Sequence, residues 1–99
     1  VSEAGKRTVG QAGTLESNDV MITVSPGEEG SGISIELTSI VKEQYGDAIQ
    51  KTVQDVVGEE KCRDIYITVV DRGALDCTIR ARLLTALLRA GVVQKKEVI

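Results

Sequence analysis

Residues 63–73 read RDIYITVVDRG. In an extended chain Ile65, Ile67 and Val69 share one side, and Tyr66, Thr68 and Val70 the other. Both sets are largely apolar or β-branched, so the stretch predicts a strand over 64–71 that lies inside a sheet rather than at its edge. The elements beside and above it must come from the flanking sequence.

Upstream, Val20, Ile22 and Val24 alternate with Met21, Thr23 and Ser25, and Ile33, Ile35 and Leu37 alternate with Ser34, Glu36 and Thr38. This is the period of half-buried strands. Between the two runs stands SPGEEGSG, where Pro26 has no backbone donor and the glycines favour a turn. Two alternating runs joined in this way predict an antiparallel hairpin over 20–25 and 33–38.

The period then changes to that of a helix. Val41, Tyr45, Ala48, Ile49, Val53, Val56 and Val57 fall on one face, with Lys42, Glu43, Asp47, Lys51 and Asp55 on the other. A helix near 39–57 follows, capped by Thr38 or Ser39 and ended by Gly58. A second helix near 76–90 would bury Ile79, Leu83, Ala86, Leu87 and Ala90, with Asp76 as candidate cap and Gly91 at its close.

Residues 1–12 read as a flexible lead-in with a short strand around Thr8 to Gln11, and the tail VVQKKEVI as an edge strand or a frayed end. The order β-β-α-β-α, with room for extra edge strands, predicts a single α+β domain over 1–99. Its architecture would be a two-layer sandwich: a small, mostly antiparallel sheet with two helices on one face.

Composition narrows the function. The chain of 99 residues is 41% hydrophobic but only 2% aromatic, with no Phe, Trp or His. The core must be Val, Ile, Leu and Ala, and there is no aromatic platform for stacking nucleic-acid bases. The net charge of −3 gives no reason to expect nucleic acid or an anionic membrane. It divides into −7 over residues 1–60 and +4 over 61–99, which reads first as chance placement on solvated faces and otherwise as two surfaces with different partners. No apolar run approaches a membrane span of ~18 residues. No leader opens the chain, and two cysteines make neither a disulfide framework nor a metal site, so a cytoplasmic protein is expected.

Independent catalysis is not expected either. Acid–base work near neutral pH relies on histidine or on a carboxylate or lysine shifted by burial, and the acids here fall on loops and polar helix faces. Cys77 falls in the first turn of the last helix, where the dipole favours a thiolate; a small buried apolar side chain is the favoured reading. Cys62, between Lys61 and Arg63, reads as exposed. Arg80 and Arg82 lie early in the same helix, against its dipole, and Arg72 precedes them. They read either as surface arginines pairing with Asp71 and Asp76 or as a contact for a polyanion or an acidic partner.

The remaining feature is Ser17, within AGTLESNDVMI at 12–22. On composition alone it is a turn former. Together with VKEQYGDAI at 41–49 and DRGALDCTIRAR at 71–82, however, this stretch resembles the acyl carrier protein of citrate lyase, its gamma subunit, in register from about Gly13 to Arg89. The resemblance implies that Ser17 anchors a prosthetic group through a phosphodiester. That group is a phosphoribosyl-dephospho-coenzyme A made from 2'-(5''-triphosphoribosyl)-3'-dephospho-CoA.

The resemblance further implies a non-catalytic subunit. Its arm carries acetyl and citryl thioesters between the alpha (acyl transferase) and beta (citryl lyase) subunits while citrate is cleaved to acetate and oxaloacetate, and a separate transferase attaches the group. A citramalate lyase carrier would look nearly the same, and a malonate decarboxylase carrier is a more distant relative. From another class, the competing reading is a cofactor-free α+β interaction module.

Overall fold

The computed structural model describes residues 7–40 and 42–93. The expected lead-in before Arg7, the place of Val41 on the helix face and the tail from Gln94 lie outside the described residues. The element order is β1 (Gly10–Gly13), β2 (Val20–Pro26), β3 (Ile33–Ser39), α1 (Lys42–Glu59), β4 (Ile65–Asp71) and α2 (Asp76–Ala90). The α+β sandwich holds, and the short strand near the N-terminus is the edge strand β1, antiparallel to β2.

The strand order is β1-β2-β4-β3. β4 is interior, as its two apolar faces predict. It runs antiparallel to β2, with Ile22 opposite Val69, and parallel to β3, with Leu37 opposite Val69. The expected β2–β3 hairpin does not form, because β4 lies between the two strands. The reason is α1. Its 18 residues rise about 27 Å, enough to carry the chain back to the starting end of β3, so that β4 enters parallel to β3.

Residues 27–32 then bridge two strand spacings, about 9.5 Å, across the N-terminal end of β4. They wrap around Asp64, whose carbonyl accepts the Gly27 amide at 2.7 Å and whose Oδ1 accepts the Gly32 amide at 2.9 Å. The amides of Gly32 and Gly30 hold the Asp64 carboxyl below its ordinary pKa.

One face of the sheet is covered. Val20, Ile22, Val24, Leu37, Ile65, Ile67 and Val69 are buried together with Val53 and Val56 of α1 and Leu83 and Leu87 of α2. α1 packs over β3, and α2 over β1 and β2. Met21, Thr23, Tyr66 and Thr68 alternate onto the other face.

Helix ends differ from the sequence expectation in ways that matter below. Gly58 does not end α1; the left-handed residue is Lys61 at φ 56°. Its amide reaches the Gly58 carbonyl at 3.2 Å and the Cys62 amide reaches Val57 at 3.1 Å, a Schellman ending. That motif turns Cys62 back against the core, half-buried, and burial pushes its thiol pKa up. Cys77, by contrast, is exposed. Both cysteine expectations are therefore reversed, because tertiary packing and not sequence neighbours sets their burial.

Asp76 is not the cap of α2. Leu75 occupies that position without a side-chain bond, and Asp76 in the first turn accepts a short hydrogen bond from Thr52 Oγ1 of α1. At the start of α1, Ser39 Oγ donates to Asp71 Oδ2 of β4 at 2.8 Å.

β1 approaches α2 more closely than a side chain permits. The Thr8 amide bonds the Ala90 carbonyl at 2.9 Å, and a Cβ on Gly10 would lie 2.3 Å from the Ala86 carbonyl oxygen and from the Ala90 nitrogen. Gly10→Ala should therefore destabilise the protein by about 1–3 kcal/mol through overpacking. Urea unfolding checks it; equal midpoints for variant and parent would show that β1 can move off the helix freely.

Candidate functional site: the Ser17 turn and the end of β4

Residues 14–19 join β1 to β2. The Asp19 amide bonds the Glu16 carbonyl at 3.2 Å, closing a four-residue turn with Ser17 and Asn18 at its centre. Asn18 has φ 66°, the left-handed conformation that asparagine and glycine tolerate and bulkier residues resist. Ser17 at the tip is exposed, and none of the described side-chain hydrogen bonds involves its hydroxyl.

The turn is not loose. Asp19 is its hub: Oδ2 accepts the Thr14 hydroxyl at 2.7 Å, and Oδ1 accepts the Val20 amide at 2.7 Å. The Arg82 guanidinium closes on both oxygens, Nε to Oδ1 and Nη2 to Oδ2, each at 3.2 Å. The Glu16 amide adds a bond to the Thr14 hydroxyl at 3.2 Å. These groups, the Thr14 hydroxyl above all, lower the Asp19 pKa from 3.8 to about 2.

β4 supplies the other support. The Asn18 amide donates to the Arg72 carbonyl at 2.7 Å, and the Arg72 amide to the Asp19 carbonyl at 2.9 Å, extending the β2–β4 ladder into the turn. One residue earlier, Asp71 is buried with its carboxylate satisfied by Ser39 Oγ at 2.8 Å and by the amides of Gly73 at 3.2 Å and Ala74 at 3.0 Å. Asp71 therefore organises its own loop and does not pair with the arginines.

The three arginines of the sequence reading part company. Arg82 is engaged by Asp19, and Arg80 by Glu59 of α1 at 2.9 Å. Arg72 is exposed beside the turn, and its side chain makes none of the described hydrogen bonds or ion pairs. Neither Asp71 nor Asp76 is a partner of Arg80 or Arg82. Asp19 and Thr14 were not legible as site residues. A carboxylate immediately before a strand is a common local cap of a turn, but its partner Arg82 lies 63 positions away.

The family described as malonate decarboxylase delta subunit matches residues 7–90. Among individual proteins, the citrate lyase acyl carrier protein of Edwardsiella ictaluri is 49% identical over 79 residues, covering 80% of each chain. That of Vibrio cholerae (strain M66-2) is 44% identical over 86 residues, 87% of each chain, and that of Oenococcus oeni 47% identical over 79 residues, 80% of this chain and 79% of the relative. A chain in the crystal structure of a Pseudomonas malonate decarboxylase hetero-tetramer in complex with malonate shares the fold. It superposes with a TM-score of 0.71 over 83% of this chain and 84% of its own, at 23% identity.

The Asp19 hub has a definite acid signature. A depressed carboxyl stabilises the fold fully above its ordinary value of 3.8, and that contribution is lost as pH falls from there through about 2. A carbon-detected NMR titration should place Asp19 near 2. Thr14→Val and Arg82→Gln should each raise it, since both the hydroxyl and the guanidinium lower it. An Asp19 that titrates near 3.8, or responds to neither change, would remove it from the centre of the turn.

Proposed function

Because the chain belongs to the family of citrate lyase acyl carrier proteins and malonate decarboxylase delta subunits, we propose that it is the acyl carrier subunit of a citrate lyase, with Ser17 as the anchor of its prosthetic group. The observation that carries this reading is the exposed Ser17 hydroxyl at the tip of a turn whose backbone is fixed by Asp19 and by the end of β4. An anchor must be reachable by an attaching enzyme and by partner active sites, yet must not drag the domain's own packing with it. The identities of 44–49% to citrate lyase carriers quoted above, against 23% for the malonate decarboxylase chain, favour a citrate lyase carrier over a malonate decarboxylase one.

The residues fit a phosphodiester-linked group. Among the described residues the Ser17 hydroxyl has no partner, nor has the guanidinium of Arg72, which is bonded through its backbone to Asn18 and can be offered to the phosphate. When bound, the phosphoribosyl-dephospho-coenzyme A arm supplies a terminal thiol on which acyl groups are carried. Ser17 itself takes no part in chemistry; it sets where the arm begins. Arg82 acts one step back, by holding Asp19 and hence the turn. Catalysis falls to partner subunits, an alpha acyl transferase and a beta citryl lyase, and attachment to a dedicated transferase. Among the described residues no helix is long and apolar enough to cross a membrane, and a thiol-bearing arm suits the reducing cytoplasm.

Intact mass of the protein isolated from its native host, followed by peptide mapping, tests the anchor. One large addition on the peptide containing Ser17 is expected. Ser17→Ala should change folding stability by no more than about 0.5 kcal/mol, because the hydroxyl is exposed, yet should abolish labelling by the transferase and turnover of the reconstituted complex. Labelling of Ser17→Ala at an ordinary rate would move the anchor elsewhere.

A further inference from the structure

Where the N-terminal turns of α1 and α2 diverge, they leave a cleft of about 370 Å³. Tyr45 and Ile49 of α1, Leu75 at the cap of α2 and Ile79 of α2 form its walls, with Tyr45 51% and Leu75 71% exposed at its mouth. Two carboxylates reach it. That of Asp71 is filled by its own loop, whereas Asp76 gives Oδ1 to Thr52 and leaves Oδ2 without a described partner. Among the described residues no lysine or arginine lines it. Apolar walls, an aromatic ring and one available acceptor suit a flat neutral group with an N–H donor and disfavour an anion.

The cleft begins where the Ser17 turn ends. Asn18 bonds the Arg72 carbonyl, and the next residue, Gly73, already lines the cleft. Gly73 has φ 94°, and a Cβ there would stand 3.5 Å from Asn18 Oδ1 and 4.0 Å from Ile40 Cδ1. Those are ordinary contact distances, so it is the left-handed φ that calls for glycine here, and Gly73 stands against Asn18 on one side and the cleft on the other. Of the parts of a phosphoribosyl-dephospho-coenzyme A group, the phosphates are anionic and the thiol end is remote. The adenine is flat, neutral and carries an amino donor. It hangs on the ribose joined to the phosphoribosyl unit at the serine, and so lies close to the anchor.

We propose that this cleft seats the adenine of the Ser17-linked arm, with its ring against Tyr45 and Leu75 and its amino group on Asp76 Oδ2. The inference rests on the carrier reading above and deepens it. With the nucleotide half docked on the carrier, only the pantetheine half swings, so the orientation of this domain determines which partner site the thiol can reach.

The test uses loaded full-length protein whose intact mass shows one group on Ser17. Isotope-filtered NOE spectra of ¹³C-labelled protein bearing an unlabelled arm should show cross-peaks from adenine H2 and H8 to the methyls of Leu75 and Ile79. Tyr45→Ala, a change at a half-exposed position, should leave the apo spectrum dispersed and abolish those cross-peaks. Loaded parent protein with no adenine cross-peaks to these methyls, or with pantetheine methyls there instead, would overturn the proposal while leaving the carrier reading intact. Absence of the mass addition from native material would overturn both.

Discussion

β4 is bonded along its length on both edges, antiparallel to β2 and parallel to β3, and this double pairing determines where everything else can be. It requires α1 to cross back over the sheet, it drives residues 27–32 around Asp64, and it leaves α2 to cover β1 and β2. It also delivers Asp71, Arg72 and Gly73 in succession to one end of the sheet, each with a different task. Asp71 knits its own loop to the end of β3, Arg72 ties the backbone of the Ser17 turn, and Gly73, at φ 94°, turns the chain between Asn18 and the cleft.

Two aspartates hold the site, and they differ in kind. Asp71 is buried and satisfied by a hydroxyl and two amides, so its worth lies in leaving no buried polar atom unmatched. Asp19 is reached by solvent, and an isolated ion pair there would contribute little. Its value is geometric: a hydroxyl, an amide and a guanidinium converge on one carboxylate and fix the turn from three directions. The basic excess of residues 61–99 and the acidic excess of 1–60 meet at this point, since Arg82 comes from one and Asp19 from the other. The charge division thus has an internal use, beside any partner surfaces it also forms.

The result is a turn whose tip is accessible without being slack, as the proposed anchor requires. Ser17 projects from a turn held by Thr14, Asp19 and the end of β4, so a group attached there would have a defined starting point while the core beneath stays unchanged. A core made of Val, Ile, Leu and Ala achieves this without aromatic bulk because two helices and one sheet face interlock through small and branched side chains, and at Gly10 through direct backbone contact.

The sequence by itself determined the elements and their inward faces. Period-two and helical spacing depend only on which side chains meet the core, so β2, β3, β4, α1 and α2 were legible to within a few residues. The two apolar faces of β4 likewise predicted its interior place. Ser17 stood out as a candidate anchor only through family resemblance, since exposure of a small polar residue has no distinctive local pattern; what the structure adds is its exposed place at the tip of the turn. Tertiary structure alone decided which strand borders which. β2 and β3 follow one another in the chain, yet pairing is a competition among all edges, and the α1 crossover brings β4 between them. It also decided the burial of Cys62, the role of Asp76 and the separation of Arg72, Arg80 and Arg82. Each of these turns on a partner between 21 and 63 positions away or on the geometry of a helix end, and local sequence holds no record of a contact that only the folded chain creates.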